Sequence, residues 1–169
     1  AQDVLGRFYG GVALYEQDGA GTLKQLNTIT GDADTHVGTI PLVVLLNGGS
    51  ASASEIVAGA LRIQRPNTTL IGEKSYGKGS VQNIHQLSDG GSARITFAHW
   101  LTPDKGAIHE VGITPQYIVP YAEPADQLTP CVAERQPPAG QTLCGDSQLF
   151  AAIQLLSNGR SPDTPVVSK

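Results

Sequence analysis

Residues 41–82 restrict the possible folds more than any other part of this chain. Leu42 to Leu46 form a continuous apolar run that enters a turn of small residues, Asn47-Gly48-Gly49-Ser50-Ala51-Ser52. A run without alternation is the pattern of a strand covered on both faces in a parallel sheet. Beyond the turn, Ile56, Val57, Ala60, Leu61 and Ile63 recur at helical spacing, so a helix is expected from about Ala53. Glu55 lies in its first turn, where the helix dipole favours an acid. Pro66 ends the helix and Thr69-Leu70-Ile71 supplies the next strand. Strand, helix and strand read as a parallel βαβ unit with a right-handed crossover.

A hydroxyl at the strand-to-helix corner would be exposed and oriented, and Gly77-Lys78-Gly79 places one lysine between two glycines after the second strand. Serine is a poor nucleophile until a base takes its proton. A lysine kept neutral by burial and apolar neighbours can be that base. The return of a βαβ unit brings Ser52 and Lys78 side by side, so the pair is read as nucleophile and base. Gln82, four residues beyond Lys78, could hold the lysine in line. The Ala53 N–H, at the helix start, could point at a developing oxyanion. Ser50 and Ser54 satisfy the same conditions as Ser52, and spacing does not rank the three.

Two other chemistries fail on their own terms. Gly72 to Gly79 approaches the phosphate-binding pattern G-x-x-x-x-G-K-[ST], but Gly79 stands where Ser or Thr is needed and no helix follows. His36, His85, His99 and His109 lack metal-ligand spacing and are read as surface or packing residues. No metal or cofactor is expected.

Elsewhere the chain reads as a brief N-terminal helix, a strand over Gly11–Tyr15, a turn at Asp18-Gly19 and a partner strand within Thr22–Ile29. Thr30–Thr39 reads as a loop. Val81–Leu87 and Ser92–Trp100 flank Ser88-Asp89-Gly90-Gly91 as an antiparallel hairpin. Tyr117–Val119 is extended, Asp126–Cys144 a loop, and Asp146 or Ser147 caps a helix over Gln148–Leu156 whose apolar face is Leu149, Ile153 and Leu156. Residues 159–169 are expected to be a disordered tail. The organisation expected is a core over 1–120, a disulfide loop and helix packing on it over 121–158, and the tail.

A chain of 169 residues is long enough for one real core, and its 20 Gly and 11 Pro imply many tight turns. Eleven basic and fifteen acidic residues give a net charge of −4 with no basic run, which excludes a phosphate-tracking nucleic-acid surface. No apolar run approaches the roughly 20 residues of a membrane-spanning helix, so stable membrane insertion is not expected. There is no methionine and no signal-peptide pattern, so the sequence reads as a processed or excised piece. Cys131 and Cys144 are read as a disulfide closing a short loop, which implies an oxidising compartment.

Three groups of residues carry a family resemblance. They are Asn47-Gly48-Gly49-Ser50-Ala51-Ser52-Ala53-Ser54-Glu55-Ile56, then Gly72-Glu73, then Tyr76-Gly77-Lys78-Gly79-Ser80-Val81-Gln82. Together with Leu87-Ser88-Asp89-Gly90, Leu101-Thr102-Pro103 and Val111-Gly112-Ile113-Thr114-Pro115, this pattern closely resembles the carboxy-terminal processing peptidases, also called tail-specific proteases, over about residues 40–120. The resemblance implies an α/β fold with a crotonase-like ββα core and a serine endopeptidase acting outside the cytoplasm on polypeptides with unfolded C-termini. By position it makes Ser52 the nucleophile, Lys78 the general base, Gln82 its orienter and Ala53 one oxyanion-hole donor. The family's PDZ domain and N-P-G-G turn, which carries the second donor, are not in this sequence, so the fragment is expected to be weakly active or inactive. The cysteine loop is not part of the family pattern. The competing readings are a non-catalytic ligand-binding module of the same fold, like retinoid-binding relatives, and an inactive scaffold fragment. Nothing in the sequence indicates an oligomeric state.

Overall fold

The computed structural model describes residues 1–29, 39–131 and 136–162. All of the expected Thr30–Thr39 loop except Thr39 lies outside the described residues, as do residues 163–169 of the expected tail. The elements in order are α1 (Gln2–Leu5), β1 (Val12–Asp18), β2 (Leu23–Asn27), β3 (Leu42–Leu46), α2 (Ala53–Gln64), β4 (Thr68–Gly72), β5 (Ser80–Gln86), β6 (Ser92–Leu101), β7 (Tyr117–Ile118), β8 (Leu128–Thr129), β9 (Cys144–Gly145) and α3 (Ser147–Asn158). The fold class is α/β, as expected. The chain forms two compact units, each assembled from three separate segments.

The first unit comprises Ala1–Ile40, Ser50–Asn67 and Ser75–Ile113. Its sheet has the order β2-β1-β6-β5 with every pair antiparallel. Asp18 closes the first hairpin by accepting the N–H groups of Ala20 at 2.9 Å and Thr22 at 2.8 Å. In the second hairpin, Leu87 N–H donates to the Gly91 carbonyl and Asp89 accepts from Gly91 N–H, each at 2.9 Å. Leu5, Leu14, Ile56, Leu61, Leu101, Ile108 and Ile113 are buried and form the core. Side chains of this size contribute about 1.5–3 kcal/mol each when fully buried. Helix α2 packs on α1 and β1. Just past its end, the buried Arg65 donates to the Ile40 carbonyl and lies 5.7 Å from the centre of the Phe8 ring.

The second unit comprises Pro41–Gly49, Thr68–Lys74 and Thr114–Lys169. Its sheet has the order β3-β4-β7 and is parallel throughout, so β3, α2 and β4 form the expected strand, helix, strand sequence. The expectation that Leu42–Leu46 is covered on both faces is corrected. Among the described residues β3 is an edge strand with only Leu46 buried and Leu45 exposed, while the central β4 buries Thr68, Leu70 and Ile71. A continuous apolar run marks a parallel sheet without specifying which strand is its centre.

Two further expectations change in this unit. The loop expected at Asp126–Cys144 contains β8, which pairs with β9 through Leu128↔Gly145 and Thr129↔Cys144. The Cys131–Cys144 disulfide is formed, with an S–S distance of 2.05 Å. Closing a loop of this size stabilises a fold by roughly 3 kcal/mol. Helix α3 is capped by Asp146, which accepts from Leu149 N–H at 2.9 Å. It buries Ser147, Gln148 and Ala152, whereas Ile153 and Leu156 of the expected apolar face are exposed. Gln148 turns inward because its amide donates to the Val119 carbonyl at 2.9 Å, a bond that Leu149 cannot replace. No helix among the described residues is long and apolar enough to cross a membrane.

Candidate active site

The site is built around a carboxylate. Ser52 is the residue before α2 and has φ 56°, a positive value that is rare outside glycine. It turns the chain sharply from an extended approach into the helix, as a strained corner presenting a hydroxyl does. Three residues on, Glu55 is fully buried. One of its oxygens, Oε2, accepts the backbone N–H of both Ser52 and Lys78, each at 2.8 Å. The other, Oε1, accepts Gly77 N–H and the Ser75 hydroxyl, each at 2.6 Å. A buried charge is tolerated only when hydrogen bonds replace its lost hydration, and here four donors do so.

The Ser75 hydroxyl also accepts from Ile113 N–H at 2.6 Å, and Ser75 N–H donates to the Ile113 carbonyl at 3.1 Å. The Val111-Gly112-Ile113 stretch is thereby fixed to the loop that carries Lys78. The flanking glycines have separate reasons to be glycine. Gly77 has φ 92°, and its carbonyl accepts from Glu110 N–H at 2.9 Å. A Cβ on Gly79 would stand 2.4 Å from the His109 nitrogen, so the backbones approach too closely there for a side chain. Tyr76 N–H donates to the Ser50 carbonyl at 2.9 Å, a second tie between the serine turn and the lysine loop.

A cavity of about 590 Å³ opens beside this arrangement, lined by Ala51, Tyr76, Lys78, Ser80, His109 and Glu110, with the backbone of Gly77. His109 stacks on His99 with ring centres 4.6 Å apart. His85 is exposed, and His36 lies outside the described residues. No cluster of possible metal ligands occurs among the described residues.

The structure brings Ser52 and Lys78 to one carboxylate oxygen, yet Lys78 is not buried as the sequence argument required. Its side chain is exposed, and burial falls on Gly77 and Gly79 at either side. Gln82 is exposed on β5, and its amide donates to Thr96 Oγ1 at 3.1 Å. Ala53 is the first residue of α2, where helical N–H groups have no partner within the helix. No acceptor among the described residues takes that N–H. Of the competing serines, Ser54 lies within α2 and Ser50 in the turn before it, while Ser52 alone of the three donates its N–H to Glu55. The residues that sequence reasoning missed are Glu55 as the organiser and Ser75 as its relay. The signal for Glu55 was present: Ser52-Ala53-Ser54-Glu55 is the S-x-x-E capping pattern.

Residues 3–119 match peptidase family S41. The chain is similar to a carboxyl-terminal-processing protease of Synechocystis sp., at 40% identity over 146 residues covering 86% of this chain and 30% of that protein. It is similar to the chloroplastic carboxyl-terminal-processing peptidase 3 of Arabidopsis thaliana, at 38% identity over 89% of this chain and 28% of that protein. The chain thus spans under a third of the length of these relatives. Among solved structures, a photosystem II D1 C-terminal processing protease superposes with a TM-score of 0.59 at 32% identity, covering 69% of this chain and 30% of that one. A lipoprotein from Streptococcus agalactiae shares the fold alone, with a TM-score of 0.56 at 15% identity over 69% of this chain and 43% of that one.

Proposed function

This chain belongs to peptidase family S41, and on that premise we propose that it carries the nucleophile and base of a serine endopeptidase that cleaves polypeptides near unstructured C-termini. The observation that carries the reading is the shared Glu55 Oε2, which ties the backbone of Ser52 to that of Lys78. That common, fully buried acceptor fixes the Ser52 corner against the Lys78 loop, so both side chains start from one point. In the proposed reaction Ser52 Oγ attacks the scissile carbonyl carbon while the Lys78 amine takes the hydroxyl proton. The Ala53 N–H donates to the oxygen as it gains negative charge, aided by the start of α2. The tetrahedral species collapses by breaking the C–N bond, and the lysine delivers its proton to the departing nitrogen. Water then hydrolyses the serine ester by the same sequence, with Lys78 again the base. Gln82, its amide nitrogen engaged by Thr96, has its carbonyl oxygen to accept from the lysine and hold it in line.

The disulfide supports an oxidising, extracytoplasmic setting for the protein. The test is cleavage of an unfolded protein by the full-length protein. Ser52→Ala and Lys78→Ala should each reduce turnover to background, while Ser50→Ala and Ser54→Ala should retain it. Normal turnover by Ser52→Ala would refute Ser52 as the nucleophile, whereas no turnover by the unaltered full-length protein together with tight binding of apolar small ligands would leave a binding module of the same fold.

A further inference from the structure

The hairpin that follows Lys78 contributes only Gln82 to the chemistry above, yet its outer strand is built as a docking edge. In the sheet β2-β1-β6-β5, strand β5 has β6 on one side and no strand among the described residues on the other. Its free main-chain groups can be assigned from the turn. Leu87 N–H donates to the Gly91 carbonyl, so that pair is hydrogen-bonded across the ladder. Antiparallel pairs alternate. Counting back along the register, His85↔Ala93 and Asn83↔Ile95 face inward, while Gln86↔Ser92, Ile84↔Arg94 and Gln82↔Thr96 do not. The side-chain bond from Gln82 to Thr96 agrees, because side chains come closest at the pairs that are not hydrogen-bonded. The N–H and C=O groups of Gln82, Ile84 and Gln86 therefore point off the edge.

Natural edges are blunted by lysine, proline or short length. β5 reads Ser-Val-Gln-Asn-Ile-His-Gln over seven residues and contains no lysine, proline or carboxylate. Its flanks are apolar and open to solvent: Ile84 is 59% exposed on one face, and Ile95 and Phe97 are 53% and 43% exposed on the other. The edge also has a starting point with a purpose, since Ser80 is both the first residue of β5 and a wall of the cavity that holds Lys78.

We propose that an extended, apolar polypeptide substrate adds as a strand to the free edge of β5. Its main chain pairs with Gln82, Ile84 and Gln86, and its path is continuous with the Lys78 cavity. An extended chain repeats every two residues, which matches the spacing of these three groups. At ~3.3 Å per residue the edge is roughly 20 Å long and holds about six residues of substrate. The inference deepens the peptidase reading and rests on it.

The test uses the full-length protein and an uncharged, unstructured, fluorescently labelled peptide ending in apolar residues. Ile84→Pro removes one outward N–H and leaves the ladder to β6 intact, as proline on an edge can. It should raise KM for the peptide by about three- to tenfold, the value of one net hydrogen bond, with kcat unchanged. A series of peptides singly N-methylated along their length needs no protein variant, and its KM should rise at alternate residues only. A KM unaltered by Ile84→Pro, or a flat N-methyl series, overturns the proposal. If Ile84→Pro instead dissociates a dimer seen by light scattering and leaves KM alone, the edge pairs two copies of the protein and the proposal also fails. If the unaltered protein cleaves nothing, the peptidase reading falls. Anisotropy of the same labelled peptides then decides the docking edge separately, by the same alternation in Kd.

Discussion

Asp18 and Glu55 both gather backbone N–H groups, and the difference between them shows what burial adds to an ordinary turn. Asp18 is exposed and accepts from Ala20 and Thr22, two and four residues away, so it closes a hairpin that its neighbours in sequence already favour. Glu55 is fully buried and accepts from Ser52 on one side and from Ser75, Gly77 and Lys78, at least twenty residues away, on the other. Water can replace Asp18 as an acceptor, but no water stands ready to replace Glu55. The first carboxylate supports a local turn, while the second fixes two distant backbone segments at one point.

This contrast can be broken by substitution. Glu55→Ala should have the largest effect. Four buried donors lose their acceptor at about 1–3 kcal/mol each, so a loss of several kcal/mol in urea unfolding is expected even after partial relaxation. Proteolytic turnover should fall by about a hundredfold or more. Stability within ~1 kcal/mol of the unaltered protein would erase the distinction drawn here. Glu55→Gln comes next: it keeps one acceptor oxygen but points an amide NH2 at donors, and should cost roughly 2–3 kcal/mol with turnover reduced at unchanged KM. Ser75→Ala should cost about 1–2 kcal/mol, because Ile113 N–H loses its acceptor while Glu55 keeps three donors.

Asp18→Asn should have the smallest effect, and pH gives it a sign. The Thr22 N–H, followed by those of Ala20 and Gly21, holds the Asp18 carboxyl below its ordinary value of 3.8 in the folded protein. A depressed folded value means the stabilisation is present above the unfolded value and is lost as pH falls through the folded one. The difference between the unaltered protein and Asp18→Asn should therefore be constant from pH 5 to 7 and vanish in strong acid. An NMR titration of Asp18 should place its midpoint below 3.8. A midpoint above that value would sink the assignment.

What could be read from the sequence followed the same line between local and distant. The β5–β6 hairpin was legible because Ser88-Asp89-Gly90-Gly91 encodes its own turn, and α2 because Ser52 and Pro66 bracket a helical repeat. The inward face of α3 was not, since Gln148 is buried for the sake of a carbonyl on β7's far side of the sequence, at Val119. The exposure of Lys78 was also illegible, because a lysine between glycines looks the same whether the chain buries its side chain or only its neighbours. Glu55 was legible as a helix-start acid but not as an organiser, because three of its four donors come from a loop beyond the next strand.

The two compact units are spliced from alternating segments, with the chain changing unit after Ile40, Gly49, Asn67, Lys74 and Ile113. During synthesis, neither unit can be completed while the other is still unmade. The first unit waits for Ile113, by which point two of the second unit's three segments have already emerged from the ribosome. A single cut after Gly49, Asn67 or Lys74 therefore divides both units at once, whereas a cut after Ile40 divides only the first and a cut after Ile113 only the second.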